Sequence, residues 1–233
     1  MGDFLMRVLV FGNLGYVGPI LTQTLRARGD VHITGFDTGY FEQCWSGSVG
    51  DGINVDRQLY GDVRDIGPDS DLFVGVDAVI YLAAISNDPM GKAFAAPTHA
   101  ANQHSAVKIA EFAKSAGVKS FVFASSCSVY GAGGELPKTE TDPLDPLTAY
   151  AQSKVQAEAN LKQYAASDFT VTCLRFATAC GRASSDSKAI RASNSAKSAR
   201  GAANSASAAS APASTGVSVK SGSPPVSASP GAT

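Results

Sequence analysis

The sequence predicts an α/β fold built on a parallel, doubly wound sheet, and three observations predict it. Short apolar, β-branched runs alternate with segments of helical periodicity. The runs are continuous rather than interleaved with polar residues, as strands covered on both faces are. Glycines punctuate the junction between the first run and the first helical segment. Residues 8–11, Val-Leu-Val-Phe, make the first strand. Residues 16–28 place Val17, Ile20, Leu21 and Leu25 at helical spacing, and residues 31–36 make the second strand, so the chain opens with a βαβ unit. Further strands are expected over 58–60, 78–82, 120–124 and 170–174, with helices over 98–116 and 147–166. The run from Thr170 to Phe176 reads as a buried strand.

Composition sets outer limits. With 233 residues, 44% hydrophobic and 17% charged, the chain can bury the core of one ordinary soluble domain. The net charge of −1 divides unevenly: residues 1–181 carry 13 basic and 19 acidic side chains, residues 182–233 carry 6 and 1. The basic residues of the C-terminal stretch are scattered among Ser and Ala without aromatic interleaving, so no nucleic-acid partner is expected. Cys44, Cys127, Cys173 and Cys180 form no Cys-x-x-Cys pair and keep no ligand spacing with His32, His99 and His104, so no metal is expected either. The first apolar run is too short, and too soon broken by Gly12, for a signal peptide or a membrane span, which makes a reducing cytoplasm the expected compartment.

At residue 182 the character changes. Residues 182–233 hold 15 Ser and 14 Ala, and their only larger aliphatic side chains are Ile190, Val217, Val219 and Val226. Such a stretch buries too little apolar area to offset the entropy of ordering it, so a disordered low-complexity tail is expected after a domain of residues 1–181. A frame-shifted replacement of a lost C-terminal part would have this composition; a natural flexible tail is the alternative.

Gly12-Asn13-Leu14-Gly15-Tyr16-Val17-Gly18 joins the first strand to the first helix in a Gly-x-x-Gly-x-x-Gly pattern. Between a strand and a helix, such glycines serve a tight turn, close backbone approach to a pyrophosphate, and close packing of helix on strand. The helix N-terminus adds amides and the positive end of its dipole. This is a Rossmann-type, dinucleotide-binding arrangement, with a purely structural turn as its rival. Asp37 closes the second strand, 19 residues after Gly18. There a carboxylate can accept the hydroxyls of an adenosine ribose and repel a 2′-phosphate, which favours NAD over NADP, although Arg26 and Arg28 are near enough in sequence to compensate. Asp62 and Val63 follow the third strand, and Asp62 either reaches the adenine edge or caps a following helix.

Tyr150 and Lys154, four residues apart, share one face of a helix. The ammonium lowers the phenol pKa towards the working pH, so the phenolate can act as a base. With Ser125-Ser126-Cys127-Ser128 upstream, the pair composes a hydride-transfer site. Tyr40, Phe41 and Trp45 are aromatic neighbours after Asp37, for which core packing leads a lid over adenine. Cys127 reads as a packing residue, since no His lies near it in sequence and hydride transfer needs no nucleophile.

In their order, the glycine turn, Asp37, Asp62, Leu82-Ala83-Ala84, Asn102, Ser125-Ser126-Cys127-Ser128-Val129-Tyr130-Gly131 and Tyr150-x-x-x-Lys154 resemble the extended short-chain dehydrogenase/reductases, the NAD-dependent sugar-nucleotide epimerase/dehydratase family. The resemblance covers residues 7–181. It implies NAD as cofactor, a nucleotide-sugar substrate and a homodimer. It further implies that Ser126 orients the substrate hydroxyl, that Tyr150 is the acid/base, and that Lys154 binds the nicotinamide ribose and tunes Tyr150. By the same resemblance Leu82, Ala83 and Ala84 line the cofactor ribose, Asn102 and Ser125 belong to the cofactor site, and Phe176 lies by the nicotinamide.

Three departures qualify the likeness. Where the 4,6-dehydratases of the family carry Asp-Glu after the catalytic Ser/Thr, this chain has Cys127-Ser128, so the acid and base for eliminating water are missing. Thr178 stands where many epimerases have Asn, and no substrate-binding part is recognisable after Gly181. The expected activity is an epimerase working through a transient 4-keto sugar, with the 233 residues alone expected to be inactive. The alternatives are a dehydrogenase, ketoreductase or dehydratase of a nucleotide sugar, and a non-catalytic dinucleotide-binding module.

Overall fold

The computed structural model describes residues 5–40, 54–86, 94–132, 137–177 and 179, all within one compact unit, Met1–Ser185. The expected tail 182–233 and the positions Phe41, Cys44, Trp45, Thr178 and Cys180 lie outside the described residues.

Six parallel strands form one sheet in the order β3-β2-β1-β4-β5-β6: β1 (Met6–Phe11), β2 (Val31–Asp37), β3 (Arg57–Tyr60), β4 (Ala78–Tyr81), β5 (Ser120–Ser126) and β6 (Thr170–Phe176). The helices are α1 (Gly18–Arg26), α2 (Ala95–His99), α3 (Ser105–Ser115) and α4 (Ala149–Leu161). The order reverses between β1 and β4, and in doubly wound sheets the ligand crevice opens at that reversal, beyond the carboxyl ends of the strands.

β1 shows why the central strands carry continuous apolar runs. Leu9 and Phe11 join the core that also holds Ile109 and Ala113 of α3 and Ala157 and Leu161 of α4. Val8 and Val10 join the opposite core, against Leu21 and Leu25 of α1. Over residues 8–11 both faces of the strand are covered, so no polar residue is tolerated there. Aromatic rings run across the α3/α4 side of the sheet, from Phe36 to Phe11 at 5.4 Å, Tyr81 at 5.8 Å from Phe11, and Phe123 at 6.1 Å from Tyr81. Burial pushes the Tyr81 phenol well above its usual range, and its hydroxyl donates to the Ala101 carbonyl at 2.7 Å.

Two expectations need correction. β6, the last strand of the sheet, alternates instead, with Thr170, Thr172, Leu174 and Phe176 exposed, because among the described residues nothing covers the face that they share. The helix expected over 98–116 begins at Ala95 and is interrupted by a π turn, Ala100–His104. One extra residue in that turn changes which side chains face inward, and it aims Asn102 into the protein.

Candidate active site

The glycine turn lies at the carboxyl end of β1. Gly12 has φ +80°, and a Cβ on it would lie 2.5 Å from the backbone nitrogen of Ala83, so the turn passes directly against the segment leaving β4. A Cβ on Gly18 would come within 2.2 Å of the Asn13 carbonyl oxygen, which makes Gly18 the position that lets α1 start on top of the turn. Gly15 differs: a Cβ there would meet only the Gly12 carbonyl oxygen, at 3.4 Å. The turn is therefore open at Gly15, where a phosphate group could approach the backbone. Pro19 occupies the first turn of α1, where its missing N–H costs nothing, and Val17 supplies no side-chain cap to the amides there.

Asp37 at the end of β2 accepts the Leu14 N–H at 3.0 Å and the Gly39 N–H at 2.9 Å. It thus fixes the turn while standing at its edge. Asp62 is engaged locally: its carboxylate accepts the Arg64 N–H at 2.9 Å and both ends of the Arg64 guanidinium, at 2.9 and 2.6 Å. Those hydrogen bonds outweigh burial and hold the Asp62 carboxyl below its ordinary range. The Val63 side chain belongs to the core. Tyr40 is 78% exposed, so it does not pack as expected.

The second half of the site forms where β5 ends and α4 begins. Thr148 caps α4 by accepting the Ala151 N–H at 3.1 Å. From that start Tyr150, Lys154 and Glu158 follow at intervals of four. The Lys154 Nζ sits 5.6 Å from the centroid of the Tyr150 ring and 4.6 Å from that of Phe123, and it donates to the Ala124 carbonyl at 2.8 Å. Burial drives the Lys154 amine down to about 7, against the opposing pull of Glu158. Ser126 caps the turn Cys127–Tyr130, accepting from the Ser128 N–H at 3.2 Å and the Ser128 hydroxyl at 3.0 Å. Phe176 is paired in register with Ser126, and Leu82, Ala83 and Ala84 leave β4 beside the glycine turn.

Several residues singled out by sequence act here as supports. Asn102 is fully buried; its amide accepts the Ile85 N–H at 2.8 Å and donates to the Ile85 carbonyl and to the Ser153 hydroxyl, both at 3.1 Å. Ser153 in turn donates to the Tyr150 carbonyl at 2.7 Å, so Asn102 ties the loop after β4 to the helix that carries Tyr150. Ser125 is buried and donates to Glu158 at 2.5 Å. Cys127 is exposed, which corrects its expected packing role, whereas Cys173 is half-buried and its thiol is pushed up to about 11 by burial.

Sequence reasoning missed Glu158 and Arg175. Arg175 on β6 binds Glu158 through Nε at 3.0 Å and Nη2 at 2.6 Å, and reaches the Tyr130 hydroxyl at 2.8 Å. The spacing of Glu158 from Lys154 was its available signal. Gln58 and Gly35 were missed too: Gln58 pairs with the Asn13 amide, and a glycine inside a strand signals a close approach. Among the described residues no three His, Cys, Asp or Glu side chains gather as a metal site, and no helix is long and apolar enough to cross a membrane.

The model of the NAD dependent epimerase/dehydratase family matches residues 8–206. The chain belongs to that family. UDP-glucose 4-epimerase of Streptococcus mutans is 30% identical over 163 residues, taking in 67% of this chain and 46% of that protein. UDP-glucose 4-epimerase of Mycolicibacterium smegmatis is 31% identical over 168 residues, or 68% of this chain and 51% of that one. Among solved structures, a short-chain dehydrogenase/reductase superfamily protein from Agrobacterium tumefaciens with bound NAD shares 31% identity at a TM-score of 0.61, covering 72% of this chain and 48% of that one. The chain thus spans about half the length of the epimerase/dehydratase family members it matches.

Proposed function

We propose that residues 1–181 are the NAD-binding, hydride-transferring half of a nucleotide-sugar epimerase. The observation that carries this is the Lys154 Nζ lying 5.6 Å from the centroid of the Tyr150 ring and bonded to the Ala124 carbonyl, two residues before Ser126, in a sheet whose glycine turn is open at Gly15. The names of the relatives support a UDP-hexose as the substrate class.

The residues suit a dinucleotide on a steric ground: of the three turn glycines only Gly15 has room for a Cβ, so a bound group could come close to the backbone there. The turn of residues 12–18 would hold the pyrophosphate, and Asp37 the adenosine ribose. Leu82, Ala83 and Ala84 would line the ribose at the crevice, and Phe176 would flank the nicotinamide. Bound NAD would supply a hydride acceptor that later returns the hydride. Tyr150 would take the proton of the sugar 4-hydroxyl as C4 loses hydride, leaving a 4-ketone, and give the proton back when the ketone is reduced from its other face. Lys154 would hold the phenolate by its charge and offer N–H donors to a ribose. Ser126, already accepting two hydrogen bonds, has its own hydroxyl hydrogen to offer the reacting oxygen.

Positioning of the sugar depends on binding energy from the nucleotide end, and the chain spans only half the length of its relatives. We therefore propose that the 233 residues alone do not turn over sugar nucleotides. The test is chromatographic detection of epimers from UDP-glucose, with NADH followed by absorbance, for the chain alone and for the chain joined to the remaining half of a UDP-glucose 4-epimerase. Epimer without net NADH from the joined protein alone is expected. Net NADH without epimer would replace the epimerase with a dehydrogenase, and epimer from the 233 residues alone would overturn the division of labour.

A further inference from the structure

We propose that Gln58 on β3 is a positioning residue for the dinucleotide turn, acting through Asn13 across Gly35. The proposal deepens the NAD-binding reading and rests on it.

Asn13 is only 2% exposed, so its side-chain amide must find partners inside the protein. Gln58, 45 residues away, supplies both. The Asn13 Nδ2 donates to the Gln58 Oε1 at 2.6 Å, and the Gln58 Nε2 donates back to the Asn13 Oδ1 at 3.3 Å. The pair passes over β2, and β2 carries glycine at the crossing. A Cβ on Gly35 would lie 2.4 Å from the Asn13 Nδ2 and 2.6 Å from the Gln58 Oε1, so any side chain there would displace the pair. Gly35 is therefore the opening through which the turn is tied to β3.

The other side of Asn13 is equally confined. Its backbone carbonyl carbon and Cα would lie 2.4 and 2.5 Å from a Cβ on Gly18, the first residue of α1. Asn13 thus links β3 to the start of α1, while its neighbour Leu14 is held by Asp37 of β2 at 3.0 Å. Two adjacent residues of the turn are pinned from two different strands. A turn fixed in this way holds its shape before a ligand arrives, and the ordering cost on binding falls accordingly. Without Gln58 the Asn13 amide would be a buried, unpaired polar group, and it would regain partners only by moving the turn.

The experiment titrates NAD into the 233-residue chain, Gln58→Met, Asn13→Ala and the double variant, with hydrogen exchange of residues 12–18 measured without ligand. Gln58→Met should bind NAD about tenfold more weakly, as loss of one hydrogen-bond pair implies. The double variant should be no weaker than the weaker single, because both remove the same interaction. Exchange should rise in the turn and stay unchanged in α3. A residue that only stabilises the fold would lower the melting temperature and leave NAD affinity unmoved, and that result would overturn the proposal. If Gln58→Met does not fold, Gln58→Glu, which keeps the acceptor for Asn13, should weaken NAD about threefold; unchanged affinity would overturn the proposal there too. A parent chain that binds no NAD would sink the proposed function and this inference with it, whereas equal binding by the parent and a folded Gln58 variant would sink this inference alone.

Discussion

Glu158 and Arg175 form a two-pronged ion pair, with Nε and Nη2 of Arg175 at 3.0 and 2.6 Å from the two carboxylate oxygens, one helical turn beyond Lys154. The pair joins α4 to β6 and extends to Ser125 at the end of β5 and to Tyr130 in the turn that follows, so it ties these segments together.

Arg175→Met should therefore destabilise the fold by roughly 3–5 kcal/mol at neutral pH, because it leaves a buried carboxylate without its partner. Burial pushes the Glu158 carboxyl up, but the hydrogen bonds from Arg175 and Ser125 outweigh it, and the net shift is downward. A lowered carboxylate contributes stability above its unfolded pKa and loses it as pH falls through the folded one. The gap between parent and variant in urea melts should accordingly be widest at neutral pH and close on acidification.

Lys154 also carries a lowered pKa, so stability again rises with pH, but in an alkaline window and as relief of a burial cost. The unfolded chain keeps its proton up to about 10.5 and the folded one releases it near 7, so between these values the unfolded state binds more protons and stability rises with pH. Lys154→Met should melt higher than the parent at pH 7.5, with the difference shrinking towards pH 10. Identical melting curves at both values would mean that the amine is hydrated in the folded protein.

The three turn glycines should separate by phenotype. Gly12→Ala and Gly18→Ala place a Cβ 2.5 and 2.2 Å from backbone atoms and should fail to fold stably, whereas Gly15→Ala should keep a parental circular dichroism spectrum and melting temperature. Its loss should fall on NAD affinity, measured by titration.

Asp37→Ala should narrow the preference for NAD over NADP and also weaken both, since the carboxylate holds the Leu14 and Gly39 amides in addition to the ribose contact proposed for it. Dissociation constants for the two dinucleotides separate these effects; an unchanged ratio would mean that another residue reads the ribose.

Much of this was legible because local signals agreed. All six strands and the helix carrying Tyr150 fall where apolar runs and periodicity place them, within a few residues. The π turn at Ala100–His104 was hidden because one added residue barely disturbs an apolar period. The exposure of β6 was hidden because Val171, Cys173 and Leu174 look the same in an edge strand as in a central one; what packs on a strand is not written in the strand. Arg175 and Gln58 were invisible for a related reason: each acts on a partner, Glu158 or Asn13, brought near only by the folded sheet. Gly35 was the readable trace of one such meeting, since glycine at the middle of a strand weakens it unless another group must come close.

Calorimetric titration of NAD into the purified 233-residue chain tests the central claim most directly. Saturable binding of one NAD per chain, weakened by Gly15→Ala, is the predicted result. Absence of saturable binding, or equal binding by the folded Gly15→Ala variant, would contradict it.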